Sequence, residues 1–286
     1  MKSYPAALRA LQHRDFRLFA SGQMVSLVGT WMQMIAQSWL IYRLTGSATA
    51  LGLATFFGQV PLLVLAPFGG LVADRVESKR LLLTTQAVSM LLAAALGTLT
   101  LLHWVQLWHV VLAAFLLGTV NAFDNPGRQV FVAEAVPAPD LMNGIALNSS
   151  MVNSARILGP SVAGVLVSLL GEGWCFILNA VGYLAVIAAL AMMSRRPKAH
   201  HPGTASPLAQ LKEGLAFAGR CLPIRRLLFI LGLLSLMGTT YSVLMPIFAD
   251  RILHGGPKAL GLLMGTSGVG ALAGAITLAV RKDPRG

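Results

Sequence analysis

An arginine stands in the middle of a long apolar run. Arg156 lies within 142–170, and Ser149, Asn153, Arg156 and Pro160 follow at spacings of 4, 3 and 4, so a helix carries all four on one face. At bilayer depth an arginine costs about 2.5–3.5 kcal/mol on insertion scales, and it is tolerated where it faces a partner or a wet cavity. A second stripe, Gln23, Ser26, Thr30, Gln33 and Gln37, recurs at spacings of 3, 4, 3 and 4 in the first apolar run. Ser235, Thr239 and Ser242 form a third. These side chains suit two tasks: holding a polar or anionic solute in a cavity between helices, and hydrogen bonding from helix to helix.

Covalent chemistry finds less support. The pair His200-His201 has no cysteine or carboxylate close by, so no metal site is expected and the pair reads as linker. Cys175 and Cys221 fall on opposite sides of the expected bilayer, about 30 Å apart, and cannot bond to each other. Gly265-Thr266-Ser267-Gly268 resembles the nucleophile element of intramembrane rhomboid proteases, which need a histidine on a later helix. No histidine follows in this sequence, and the four residues read as small packing residues. A polytopic membrane enzyme is therefore the disfavoured alternative, and no cofactor is expected.

The elements that position these stripes are set by hydropathy. With 56% hydrophobic and 11% charged residues, the 286-residue chain has too much apolar surface for one water-soluble core. Lipid must be its main solvent. Runs long enough to cross a bilayer, roughly 20 residues at 1.5 Å each, occupy 18–42, 48–72, 81–102, 107–124, 142–170, 174–194, 224–249 and 259–281. Eight helices are expected, making an all-α polytopic membrane protein. The first run is too long for a signal-peptide core, so it is expected to stay in the mature protein.

The net charge of +12 follows topology rather than a nucleic-acid groove. If the helices cross in turn, eighteen of the 22 Lys and Arg fall on one side, before the first helix, in 75–80, at Arg128, in 195–226 and after 280. Arg43, Arg251 and Lys258 fall on the other. The positive-inside rule then places both termini in the cytoplasm of a bacterial-type inner (plasma) membrane. No carboxylate is expected in the interior of a helix, with Asp124 and Asp250 read as helix ends.

Organisation along the chain is marked by a polar linker and a repeat. Residues 195–222 carry Pro197, Pro202, Pro207 and much of the central positive charge, with a short amphipathic surface helix expected after Ser206-Pro207. Ser26-Leu27-Val28-Gly29-Thr30 recurs as Ser235-Leu236-Met237-Gly238-Thr239, and Ala50-Leu51-Gly52-Leu53 as Ala259-Leu260-Gly261-Leu262, both at an offset of 209. A parallel repeat of apolar helices is the mark of transporters built from two similar bundles. The expected domains are a six-helix bundle over 1–194, the cytoplasmic linker 195–222, and an incomplete second bundle of two helices over 223–286.

The tight loop Gly70-Leu71-Val72-Ala73-Asp74-Arg75-Val76-Glu77-Ser78-Lys79-Arg80 supplies switch candidates. Gly70 allows close helix packing, Asp74 can face the positive end of a helix, and Arg75, Lys79 and Arg80 can clasp carboxylates. This loop resembles the signature of the major facilitator superfamily, with Glu77 in place of the second glycine and the basic pair one position late. The resemblance implies a conformational switch in which Asp124, at the end of the fourth helix, joins that cluster. Asn121-Ala122-Phe123-Asp124-Asn125-Pro126-Gly127-Arg128-Gln129, with Gly173-Trp174-Cys175-Phe176, resembles the exporter branch containing siderophore exporters and macrolide-efflux proteins.

Gly159-Pro160-Ser161-Val162-Ala163-Gly164 is similar to the element that marks proton-driven antiporters of that superfamily, with Ala-Gly for its final Gly-Gly. Gly159, Pro160 and Gly164 are the expected packing residues there. The resemblance implies a transporter, an exporter of a drug or siderophore-type small molecule by alternating access, with the proton as possible coupling ion. Gln23, Ser26, Thr30, Gln33, Gln37, Asn153, Arg156, Ser235 and Thr239 are its expected cavity walls. A nonfunctional fragment truncated after the eighth helix is the alternative.

Overall fold

The computed structural model describes residues 6–193, 213, 216–238 and 240–280. Thr239 and the expected surface helix of the linker lie outside the described residues. Helices run over Arg14–Thr45 (α1), Ala48–Arg75 (α2), Ser78–Leu101 (α3), Leu107–Ala135 (α4), Leu141–Leu170 (α5), Glu172–Ala191 (α6), Leu222–Gly238 (α7), Thr240–Ile247 (α8) and Gly256–Val280 (α9), with a π-helical turn over Phe248–Ile252. The seventh apolar run is thus divided between α7, α8 and the π turn. Among the described residues, α2 to α6 are each long and apolar enough to cross a membrane. The chain is an all-α polytopic membrane protein.

Helices α1 to α6 pack on one another, chiefly as α2 on α4, α1 on α5 and α6, and α3 on α4 and α6. The start of α1, the α2–α3 turn and the α4–α5 turn share one side, here the basic face; the α1–α2, α3–α4 and α5–α6 connections share the opposite face. At the basic face a 3₁₀ turn over Ala6–Gln12 is pinned to the start of α5. Arg9, Gln12 and His13 all reach the Asp140 carboxylate, and the Ala10 N–H donates to Asn143 Oδ1 at 2.8 Å. The His13 hydrogen bond, and then the Arg9 charge, hold the Asp140 carboxyl below its usual range against the opposing effect of burial. A lowered carboxyl value means the clamp contributes at neutral pH and is lost as pH falls through that value.

Glycine and proline set the tightest contacts. The fourth helix was expected to end at 124, before Asn125-Pro126-Gly127, yet it continues to Ala135 with Pro126 inside it. Proline has no N–H for the carbonyl four residues back, which frees Ala122 O. Gly69 of α2 lies on that carbonyl so closely that a Cβ at Gly69 would overlap it. A weak Cα–H···O contact therefore takes the place of the missing bond. The expectation for Gly70 is corrected: a Cβ there would meet nothing within 4 Å, and its neighbour Gly69 makes the close approach.

The same device recurs in α5. Pro160 frees the Arg156 carbonyl, and a Cβ at Gly268 of α9 would stand 3.2 Å from that oxygen. Gly69→Val should lose about 1–3 kcal/mol of stability through overpacking, read as a lower thermal midpoint in detergent. Gly70→Val should leave it unchanged. Equal loss in both would contradict the assignment.

Candidate functional site: the cleft between helix groups and its buried polar seam

The second group of helices meets the first along α5 and α9. A Cβ at Gly261 would fall 2.6 Å from Gly164 Cα and 2.7 Å from Pro160 O, and one at Gly265 would fall 2.5 Å from Ser161 Oγ. Backbone thus lies almost on backbone at Gly164. The close approach of α9 to α5 runs from Gly261 through Gly265 to Gly268, while Gly270 and Gly274 lie on the other side of α9, where an added Cβ would meet nothing within 4 Å. On α7, side chains from Leu227 to Ser235 are exposed. Among the described residues, the contacts between the two groups thus lie in the half nearer the opposite face, and α7 stands exposed toward the basic face.

Specific polar contacts close the opposite face. Tyr42 Oη, at the end of α1, donates to Asp250 Oδ2 at 2.8 Å, and Arg251 Nη2 donates to Gly46 O at 3.0 Å. Both acceptor and donor on the second group come from the π turn, whose extra residue per turn re-aims side chains relative to an α-helix. Between them Arg43 forms a two-pronged pair with Glu172 at 2.7 and 3.3 Å, fixing the end of α1 to the start of α6. Trp39, Leu40, Leu51, Ala249 and Leu260 fill the apolar plug behind this rim.

Arg156 lies at the top of the open cleft. It is exposed, and its guanidinium lies 5.0 Å over the Trp31 ring of α1, a cation–π contact that holds the head group out of lipid. Asn153, one turn below, spends its Nδ2 on Ser149 O. Across the cleft Tyr241 Oη and Ser267 Oγ are 3.1 Å apart. Ser235 is exposed on α7 and has an interaction partner. Gly159 packs on Trp31, Val28 and Met32, seating α5 on α1.

The α1 stripe does not line this cleft, and its assignment as cavity wall is corrected for four of its members. Gln23, Ser26 and Gln33 are buried, Ser26 facing Gly182 of α6, while Thr30 Oγ1 lies 3.3 Å from Tyr183 Oη and Gln33 Oε1 accepts from Asn179 Nδ2 at 2.7 Å. Gly22, Gly29 and Gly182 bring α1 and α6 together around these groups, and a Cβ at Gly29 would overlap Asn179 Oδ1. Gln37 is half-buried.

Asp124 is also corrected. It is inside α4 rather than at its end, 2% exposed, and none of Arg75, Lys79 and Arg80 reaches it. Its Oδ1 accepts from Thr85 Oγ1 at 2.6 Å and Gln86 Nε2 at 2.9 Å on α3, and its Oδ2 pairs with Arg128 one turn on. Lys79 Nζ instead donates to Met193 O, Arg80 pairs with Glu77, and Asp74 and Arg75 are exposed. A helix interior therefore does hold a carboxylate. Sequence reasoning missed Thr85, Gln86, Asn179, Tyr183 and Trp31; the polar pairs 86/89 and 179/183, spaced one turn apart in apolar helices, were the available signal.

These features define a class: a polytopic helical membrane protein with a polar cleft between two helix groups and a polar seam buried in the first. The profile of the transmembrane secretion effector family of the major facilitator superfamily matches residues 5–283, and the chain belongs to that family. Similar relatives include the staphyloferrin A transporter of Staphylococcus aureus, 25% identical over 92% of this chain and 66% of the relative. The multidrug efflux pump Tap of Mycolicibacterium fortuitum is 28% identical over 88% of this chain and 63% of the relative. The enterobactin exporter EntS of Escherichia coli is 26% identical over 93% and 63%. The chain thus spans somewhat less than two thirds of the length of these relatives.

Removing the Tyr42 hydrogen bond, at about 1 kcal/mol, should shift the population toward an open opposite face about fivefold. Leu51→Cys, in a background with Cys175 and Cys221 replaced, reports this as faster labelling by an impermeant maleimide in Tyr42→Phe. An unchanged rate would show that the contact does not hold the face shut.

Proposed function

We propose that this chain is part of an exporter of small organic molecules that works by alternating access, without enzymatic turnover, in a bacterial-type inner membrane. The basic face is cytoplasmic in this reading, and both termini lie there. The observation that carries the proposal is the one-sided cleft, closed at the opposite face by Tyr42–Asp250 and open toward the basic face, with Arg156 at its apex. Such a shape admits a solute from the cytoplasm and requires the groups to rock about α5 and α9 for release outside. The names of the relatives, which include siderophore and drug exporters, support the same direction of transport.

The substrate presents an anionic or strongly hydrogen-bonding group to Arg156, with Asn153 and Ser235 beside the path. Thr239 belongs to the proposed cavity from its place in the repeat. The proton is the proposed coupling ion. Gly70, Asp74, Arg75, Lys79 and Arg80 serve as the latch of the basic face; while that face is open Lys79 rests on Met193 O and Arg80 on Glu77, and the cluster changes partners when the face closes. Residues 1–194 and 223–286 move as the two bundles, joined by 195–222.

The test is efflux from cells expressing the chain, against a panel of carboxylate-bearing and neutral compounds, with binding measured on the purified protein. Arg156→Ala should weaken binding about 10- to 100-fold, the worth of a charge-assisted hydrogen bond. Arg156→Lys should fall between. Unchanged affinity and efflux in Arg156→Ala would overturn the role of Arg156.

A further inference from the structure

The first helix group holds a buried carboxylate that the cleft does not use. Asp124 belongs to a polar seam rather than to an isolated pair. On α3 it meets Thr85 and Gln86, with Ser89 buried one turn beyond; on α6 Tyr183 lies within electrostatic reach of both Asp124 and Arg128. Tyr183 in turn joins Thr30 and Asn179, and Asn179 joins Gln33. The seam thus runs through the interior of α1, α3, α4 and α6, from the basic half of the helices toward their middle.

Two features set Asp124 apart from a structural cross-link. Its charged partner, Arg128, is on its own helix four residues away, so the ion pair ties no two helices together. A buried ion pair is in any case weak evidence of stabilisation, because desolvation offsets the attraction. The groups that do link helices are neutral, and each can serve either protonation state. Thr85 Oγ1 donates now and can accept after rotation. Gln86 donates through Nε2 while its Oε1, fully buried, has no partner. Turning that amide over would present Oε1 to a carboxyl O–H.

Arg128 Nε is also buried without a partner. The site thus holds a spare donor and a spare acceptor, and the Arg128 side chain, 18% exposed, leads from it toward the basic face. Unsatisfied buried polar groups are rare in native interiors, and two on the direct partners of one carboxylate mark a network built for more than one arrangement.

We propose that Asp124 is the group that binds and releases the coupling proton, with Arg128 as its charge partner and Thr85 and Gln86 as hydrogen-bond partners for both protonation states. One proton converts the carboxylate to a carboxyl, Gln86 Oε1 or Thr85 Oγ1 accepts its O–H, and Arg128 loses its counter-charge and is freed. Loss of the proton restores the pair seen here. This inference rests on the exporter reading for the proton's use, though not for its binding.

Ionisable groups on the surrounding elements are His109, Arg128 and Glu134 on α4, Glu172, Cys175 and Tyr183 on α6, Glu77, Lys79 and Arg80 at the start of α3, Asp74 and Arg75 at the end of α2, Arg14, Asp15, Arg17, Tyr42 and Arg43 on α1, and Arg156 on α5. Of these, Arg128 is the charge that acts on Asp124.

The test is infrared difference spectroscopy of the full chain in lipid nanodiscs as pH is stepped, with the proton alone as probe. Among the carboxylic-acid carbonyl bands that appear on acidification, one component should be missing in Asp124→Asn. Arg128→Gln should move its midpoint up by at least about one pH unit, tenfold in proton affinity. Thr85→Val with Gln86→Leu, which keeps both ionisable groups, should also shift it if Asp124→Asn fails to fold. A set of bands identical in Asp124→Asn and the unaltered chain, or a midpoint of that component indifferent to Arg128 and to the Thr85/Gln86 pair, would overturn the assignment. If the band titrates as expected but no pH gradient drives export in proteoliposomes, the exporter reading fails and the proton site stands.

Discussion

In lipid, helices gain little from hiding apolar side chains from one another, because the tails around them are equally apolar. Contact must come from close van der Waals approach and from backbone polar groups that have nowhere else to go. The fold depends on that constraint at three places. Gly69 sits on the Ala122 carbonyl that Pro126 frees, Gly268 on the Arg156 carbonyl that Pro160 frees, and Gly164 on Gly261. Two of these joins form the seam between α5 and α9 on which the helix groups meet. Side chains at these points would push the helices apart, by more than an ångström at Gly69, and the carbonyls would be left without a partner.

The seam also explains why α5 carries the arginine. Pro160 bends the helix away from its regular hydrogen bonding one turn past Arg156, and Gly159 lets α1 approach so that Trp31 lies beneath the guanidinium. The charge is thereby held at the apex of the cleft without a carboxylate partner among the described residues. Packing, backbone satisfaction and the candidate binding group are thus one piece of local structure. At the far rim, Tyr42 is aimed at Asp250 because Arg43 and Glu172 fix the end of α1 and the π turn rotates Asp250 toward it.

Much of this was legible in the sequence. The apolar runs locate α1 to α3, α5, α6 and α9 closely, and the start of α4, since a bilayer imposes length and hydropathy together. Proline was the main source of error. Asn125-Pro126-Gly127 reads as a helix end in water, but in a membrane bundle a neighbouring glycine can receive the freed carbonyl, so α4 runs on for eleven residues past Asp124. That single extension moved Asp124 from a surface cluster to a buried seam. The stripe on α1 was misassigned for another reason: periodicity identifies a polar face without saying which neighbour it meets. Asn179 and Tyr183 are the complement of Gln33 and Thr30, and no spacing within one helix could show that pairing.

The central claim is that the two helix groups turn about the α5–α9 seam, so that one face closes as the other opens. Paired spin labels measure this directly in the full chain in lipid. Labels at Met142 and Arg225 report the basic face, and labels at Trp104 and Lys258 the opposite face, all at exposed positions. On acidification, or on adding a transported compound, the first distance should shorten while the second lengthens. Distances that change in the same direction, or basic-face closure with the opposite face still shut, would contradict it.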